Sequence, residues 1–143
     1  MTRTAQLALA RRYFEEIWNR ADLAAIDRLT TPDIAGHVNG RTFHGREACK
    51  QRLALVWRAY PDLRFTVDEL LADGDRVLAR WTFRGTQTGA YLGQPPTGRS
   101  VSVTGMNLFR LSGEAIAELW VNADDLGELQ QLGLVSLPEW PSI

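Results

Sequence analysis

With 143 residues, 45% of them hydrophobic and 23% charged, and a formal net charge of -1, the chain has the size and composition of an ordinary globular domain. This composition offers no basic face to attract nucleic acid. The single cysteine, Cys49, excludes an internal disulfide, and no apolar run indicates a secretory signal or a membrane span. We therefore expect one domain, residues 1–143, in the cytoplasm, with neither nucleic acid nor membrane as a partner.

The first half of the chain has the periodicity of helices. Apolar residues predict an amphipathic helix over roughly the first twenty residues, with Phe14 and Trp18 on its buried face. Asp22 is a good N-cap for a second, short helix, and a third helix is predicted from about residue 46 to residue 60. Residues 32–44 are predicted to be irregular or to form a short strand.

From Leu63 onward the period changes to two. The alternation predicts two long strands joined at Asp73-Gly74, then a loop over residues 85–98 and two further strands joined at residues 113 and 114. The loop is either a flap over a cavity or a plain crossover. Helices followed by strands indicate an α+β domain, in which a cone-shaped, curved antiparallel β-sheet carries about three N-terminal helices on its concave side and a short C-terminal helix.

The joint between the last strand and the last helix contains the candidate catalytic group. Strict alternation places Trp120, Asn122 and Asp124 on one face, and a ring among polar groups suits the wall of a ligand cavity. Asp125 and Glu128 have the spacing of a capping box, which leaves Asp124 to act as a general acid/base with a pKa raised by burial. The reverse, with Asp124 as the cap and Asp125 in solvent, stays open.

Two further polar residues are candidates for the site. A two-residue turn at positions 113 and 114 would place Asn107 opposite Trp120 and so on the face of Asp124. A three-residue turn would instead place Met106 and Leu108 on that face. His37, in the irregular segment, is either a surface or core residue or a group that orients a carboxylate or binds an oxyanion. No metal-ligand spacing and no cofactor fingerprint are present, so we expect no metal and no cofactor.

The chain also contains several recognisable motifs: Pro61-Asp62-Leu63, Asp73-Gly74-Asp75, Ala79-Arg80-Trp81, Gly93-Gln94-Pro95-Pro96-Thr97-Gly98-Arg99, Glu118-Leu119-Trp120, and Asp124 with Leu126-Gly127. Together, over residues 13–133, they resemble the SnoaL-like polyketide cyclase family. The resemblance implies the cone-shaped fold of nuclear transport factor 2 and its relatives, usually as a homodimer or homotetramer formed through the outer sheet face. It also implies ring closure of an aromatic polyketide by intramolecular aldol condensation without metal or cofactor.

In this resemblance the family's acid/base aspartate falls on Asp124 and its common histidine on His37. Gln87 stands where many members have a histidine, and Asn107 stands where many have an acid or a histidine. The prediction is an acid/base enzyme for a small hydrophobic or aromatic substrate. Two alternatives stay open: isomerisation, epoxide opening or hydroxylation of a polycyclic or terpenoid substrate, and a non-catalytic binding or dimerisation module. The predicted site consists of catalytic Asp124 and His37 and of substrate-binding Asn107, Trp120, Trp18, Trp81 and Asn122.

Overall fold

The computed structural model describes residues 1–142, which form four α-helices, a π-helical segment and six strands. The first half comprises α1 (Arg3–Arg12), the π-helical segment (Tyr13–Asn19), α2 (Leu23–Leu29), β1 (Thr30–Val38), β2 (Arg41–His44) and α3 (Gly45–Ala59). The second half comprises β3 (Arg64–Asp73), β4 (Arg76–Thr86), β5 (Ser100–Ser112), β6 (Ala115–Ala123) and α4 (Asp125–Gln131).

The strands form one curved, open sheet in the order β2-β1-β6-β5-β4-β3, and the predicted α+β class is confirmed. Residues 32–44, predicted to be irregular or to form a short strand, belong to the β1–β2 hairpin. Four of the five pairings are antiparallel, but β1 runs parallel to β6, which differs from the expected antiparallel sheet. A parallel pair requires a long crossover, and here α3 and four strands separate the two partners in the chain.

The first helix changes pitch where it reaches the sheet. The backbone N–H of Arg20 donates to the carbonyl of Glu15, five residues earlier, as in a π-helix. The side chain of Asn19 then exchanges two hydrogen bonds, of 2.9 and 2.7 Å, with the backbone of Phe65 in β3. The wider turn is pinned to the sheet, and it buries three rings against the concave face: Tyr13, Phe14 and Trp18.

One extra residue in β6 decides which side chains face the concave side. The turn before β6 has two residues, as predicted, but Ala117 then has no partner on β5. A one-residue bulge reverses the alternation of inward and outward side chains beyond it. Asn107 consequently lies opposite Val121, not opposite Trp120, so the predicted pairing is wrong beyond the bulge.

The concave face carries the core. Beyond the bulge, Leu119 and Val121 are 0% and 5% exposed, and they join a cluster of buried side chains from the N-terminal helices, α3 and the sheet. The helical segments pack on this face, α1 and the π-helical segment against β3, and α3 against β1. Within residues 1–142, no helix has the length and apolar character needed to cross a membrane.

Candidate active site

A cavity of about 340 Å³ opens between the helices and the concave face of the sheet. This volume is at the lower end of the range of small-ligand pockets. Its wall is mainly aromatic and aliphatic, with rings from Tyr13, Phe14, Trp18, Phe43, Phe65, Trp81 and Tyr91. The charged and amide side chains at its surface are Asn39, Arg41, Arg52, Asn107 and Asp125.

Three residues expected to bind substrate, Trp18, Trp81 and Asn107, line this cavity. Trp81 and Asn107 are 4% and 3% exposed, and Nε1 of Trp81 donates to Oδ1 of Asn107 over 2.9 Å. Because an indole nitrogen can only donate, this bond fixes the orientation of the carboxamide. Nδ2 of Asn107 has no hydrogen-bond partner in residues 1–142 and is not fully enclosed. It is therefore a donor that a ligand can use.

Two glycines give the cavity its depth, because rings lie directly against their backbones. A Cβ atom on Gly105 would lie 2.4 Å from Cζ2 of Trp81, and one on Gly36 would lie 2.1 Å from Cε1 of Phe43. Real Cβ atoms do not come so close to other carbons, since attractive contact between carbons begins at about 3.5 Å. Each ring can lie this close to the backbone, and so leave space in the cavity, only because the glycine has no Cβ atom.

The two acids at the end of β6 occupy the reverse of the predicted positions. Asp124 is exposed, does not line the cavity and caps α4, where its Oδ1 accepts from the N–H of Gly127 over 2.9 Å. Asp125 lines the cavity, and its Oδ2 accepts from Nδ2 of Asn39 over 2.6 Å. The capping prediction for Asp125 is wrong because Asp124 already has the non-helical backbone of an N-cap, and Gly127 leaves room for its carboxylate.

Asn39, which the sequence analysis did not select, holds Asp125 in place. Its backbone has a φ of +47°, its Oδ1 accepts from the N–H of Ala123 over 3.0 Å, and its N–H donates to the carbonyl of Val121. It thus ties the end of β1 to the end of β6. The Asn39-Gly40 pair is a strong signal for a two-residue hairpin, and that signal could have identified it.

The other predicted site residues, His37, Trp120 and Asn122, do not line the cavity. Trp120 and Asn122 follow the bulge in β6 and therefore lie on the convex face, where the ring of Trp120 stacks on that of His37 at 5.3 Å. The guanidinium of Arg76 lies 5.4 Å from the centroid of the same indole. The predicted placement of Trp120 and Asn122 on the cavity wall is thus wrong, because the prediction assumed unbroken alternation along β6.

His37 instead belongs to an ionic cluster on the convex face. Its Nε2 lies 2.7 Å from Oε2 of Glu118, and its Nδ1 lies 3.2 Å from the hydroxyl of Thr42. Nε of Arg110 donates to Oε1 of Glu118 over 3.1 Å. These hydrogen bonds, with that of His37 as the larger effect, lower the pKa of Glu118. The cluster is partly exposed and links three neighbouring strands, β1, β6 and β5.

Behind the cavity wall lies the buried carboxyl of Glu128, which was predicted to belong to a capping box. Glu128 is 6% exposed and accepts from the hydroxyls of Tyr60, over 2.6 Å, and Tyr91, over 3.4 Å. Burial raises the pKa of Glu128, although the hydrogen bond from Tyr60 lowers it. Burial and the neighbouring carboxyl raise the pKa of both tyrosines. Glu128 thereby anchors Tyr91, a ring of the cavity wall.

The loop between β4 and β5 is organised around the buried side chain of Gln87, which is 0% exposed and does not line the cavity. Its Oε1 accepts from both the N–H and the hydroxyl of Thr97, and its Nε2 donates to the carbonyl of Gly89. This bracing presents Tyr91 and Leu92 to the cavity. The loop is therefore part of the cavity wall. No group of three His, Cys, Asp or Glu side chains within residues 1–142 is placed to hold a metal ion.

Comparison with known proteins matches residues 8–132 to the family model of the SnoaL-like polyketide cyclases. Among solved structures, TsrD from Streptomyces laurentii is 29% identical, with a TM-score of 0.86 over 94% of this chain and 99% of its own. AclR, a proposed hydroxylase from Streptomyces galilaeus, is 27% identical, with a TM-score of 0.85 over 94% and 100%. IdmH, a proposed polyketide cyclase from Streptomyces antibioticus, is 28% identical, with a TM-score of 0.80 over 90% and 98%. No curated protein matches the chain at a significant level.

Proposed function

The chain belongs to the SnoaL-like polyketide cyclase family, and on that premise we propose that it closes a ring of an aromatic polyketide or similar small molecule by intramolecular aldol condensation. One observation carries the proposal. An aromatic cavity has a carboxylate, that of Asp125, and an unpartnered amide donor, that of Asn107, on the same surface. A base and an oxyanion donor are the two groups that this reaction needs.

Asp125 is the proposed base. Its carboxylate takes a proton from a carbon next to a substrate carbonyl, and the electron pair of that C–H bond moves onto the carbonyl oxygen as an enolate. The enolate carbon attacks a second carbonyl of the same molecule, a carbon–carbon bond forms, and the new alkoxide takes the proton back from Asp125. The N–H of Asn107 stabilises the developing oxyanion. The reaction consumes no oxidant and no second substrate, because the proton that Asp125 removes is returned to the product.

Asp124 is the rival for this role, because the family's acid/base aspartate falls on it. Two features favour Asp125 instead. The carboxylate of Asp124 is engaged by the N–H of Gly127 at the start of α4, and that of Asp125 borders the cavity. The bond from Asn39 holds one oxygen of Asp125 and leaves the other for a proton.

A bicyclic ketone with acidic protons, 2-tetralone, tests both assignments through protein-dependent exchange of those protons in deuterium oxide, followed by NMR. Asp125→Asn should slow the exchange at least about a hundredfold, since general bases contribute roughly two to four powers of ten. The matched control, Asp124→Asn, should keep both the exchange and the melting temperature, because asparagine caps a helix as well as aspartate does. The reverse result would assign the base to Asp124.

The resemblance to AclR favours a second candidate, hydroxylation of a polycyclic substrate in the same cavity. Isomerisation and epoxide opening share the aromatic cavity with it, and a non-catalytic binding module would use the cavity alone. Exchange of the 2-tetralone protons is required for proton abstraction and isomerisation but not for epoxide opening or binding. If the protein binds the ketone and both wild type and variants leave its protons unexchanged, the cyclisation proposal fails.

The convex face is the proposed surface of a homodimer, with a homotetramer as the alternative. Met106 is 48% exposed there, beside the partly buried Leu108 and Trp120 on the neighbouring positions of β5 and β6. Apolar side chains grouped on an exposed sheet face are typical of protein interfaces. Light scattering should give twice the mass of the chain for the wild type and the mass of one chain for Met106→Glu. A monomeric wild type would contradict the proposal.

A further inference from the structure

We propose that the natural ligand of the cavity is an aromatic compound that carries a carboxylate, and that the guanidinium groups of Arg52 and Arg41 form the subsite for this group. The inference rests on the proposed function only in taking the cavity as the substrate site. It adds a substrate class, aromatic acids, to a reaction that by itself needs no charge on the substrate.

Arg52 is a cation on an otherwise apolar stretch of the cavity wall. Its guanidinium carbon lies 5.4 Å from the ring centroid of Trp18 and 5.8 Å from that of Phe43. The side chain is partly buried and lines the cavity. It lies within 4.0 Å of no carboxylate in residues 1–142. Contacts with aromatic faces orient the cation without neutralising it.

Two other partly buried cations of the same helix have a carboxylate partner. Arg46 and Lys50, also on α3, both pair with Asp27, with Lys50 Nζ 3.0 Å from its carboxylate. Arg52, which faces the cavity, has no such partner in the described part of the chain. A charge that loses part of its hydration without gaining a counterion is costly. An anionic group on the ligand would supply that counterion.

A second arginine adds to the positive charge of the cavity. Arg41, at the exposed start of β2, lines the same cavity and has no carboxylate within 4.0 Å among residues 1–142. The charged lining residues of this region are thus two arginines and one acid, Asp125, which Asn39 already binds. The cavity is positive although the chain has a net charge of -1. A planar guanidinium matches the two oxygens of a carboxylate, and the aromatic wall matches a flat ring.

Two probes of nearly equal shape, 2-naphthoate and methyl 2-naphthoate, isolate the charge. Isothermal titration calorimetry at pH 7 should show the acid binding at least about tenfold more tightly than the ester, as expected for hydrogen bonds to a charged group. Arg52→Met should remove that preference while keeping the affinity for the ester, and Arg52→Lys should retain part of it. The matched control is Arg58→Met, at an exposed position of the same helix, which should change neither affinity.

Arg41 is exposed, so Arg41→Met should leave the fold intact. This variant should weaken the preference for the acid over the ester. The inference is overturned by equal affinities of the two probes, by a preference that survives Arg52→Met, by an equal loss in Arg58→Met, or by failure of both probes to bind. The exchange test with 2-tetralone uses a neutral ketone and is independent of this result. Exchange without a preference for the acid would overturn the carboxylate subsite alone, and a preference without exchange would overturn only the cyclisation proposal.

Discussion

A single methyl group added at Gly105 should push Trp81 into the cavity. The new Cβ would lie 2.4 Å from Cζ2 and 2.5 Å from Cη2 of Trp81, and 2.9 Å from the carbonyl oxygen of Asn122. Because carbons in contact are separated by about 3.5 to 4.0 Å, the ring has to move by roughly 1 Å. Gly105 lies in β5, which pairs with β4 on one side and with β6 on the other, so its backbone cannot move away from the ring.

Two opposing effects set the magnitude. Replacing glycine by alanine in a strand gains about 0.5 to 1 kcal/mol from the unfolded state. Overpacking costs about 1 to 3 kcal/mol, and Trp81 is a poor candidate for relaxation because it is 4% exposed, bonded to Asn107 and packed 4.9 Å from the ring of Phe65. The steric cost is the larger, so Gly105→Ala should lose about 0.5 to 2 kcal/mol, or roughly 2 to 6 °C in melting temperature for a chain of this size.

The assay is thermal unfolding, followed by circular dichroism, of the wild type, Gly105→Ala, Trp81→Phe and the double variant. Phenylalanine lacks the outer atoms that the methyl group would meet, so Gly105→Ala should be neutral or stabilising in the Trp81→Phe background. Calorimetry on the same proteins should show weaker binding of 2-naphthoate to Gly105→Ala than to the wild type. An unchanged melting temperature for Gly105→Ala, or the same effect in both backgrounds, would show that the ring does not lie against this glycine.

Three further changes test the electrostatics and the helix cap. Burial raises the pKa of Glu128, so its contribution to stability is present below the ordinary value of 4.5 and is lost as pH rises through the raised pKa. Urea titrations should therefore find that Glu128→Gln gains stability relative to wild type as pH rises above about 4.5. The sign is opposite for Glu118, whose pKa is lowered. The wild type should be more stable than Glu118→Gln above pH 4.5, and this difference should disappear as pH falls. A difference in stability that does not change with pH would contradict this prediction. Asp124→Ala should lower the free energy of unfolding by about 1 kcal/mol and Asp124→Asn should not; equal losses would argue against the cap.

The regular elements could be predicted because their signals are local. The change of period at Leu63, the Asp22 N-cap and the Asp73-Gly74 turn each depend on a few neighbouring residues, and all three correspond to boundaries in the structure. Trp81 reaches the cavity because the buried residues of β4 alternate without a break, and Trp18 reaches it from the π-helical segment that continues the first helix. Local patterns of this kind determine which elements form and which face is buried.

The candidate site depends on features with no local signal. Ala117 is small and suits either face of a strand, so nothing in the sequence indicates that it is the bulged residue, yet it decides that Trp120 faces outward. Adjacent acids are equally ambiguous, because both Asp124 and Asp125 precede α4 at spacings compatible with capping. Arg52 and Tyr91 were not selected because their importance comes from contacts with residues distant in the sequence, which only the folded chain brings together.

The parallel pairing of β1 with β6 also determines the stage of synthesis and folding at which the cavity can form. A ribosome releases β1 and β2 early, but β6, the neighbour of β1 in the sheet, is the last strand to emerge, and paired residues such as Ala35 and Glu118 lie far apart in the chain. Contacts of such separation form slowly, and until then the hairpin edge and the aromatic rings remain open to other chains. A nascent chain that ends before β6 can form the β3–β4–β5 meander but has no binding site. Ligand present during refolding will therefore capture only chains that have completed the last pairing, and will not speed the steps that precede it.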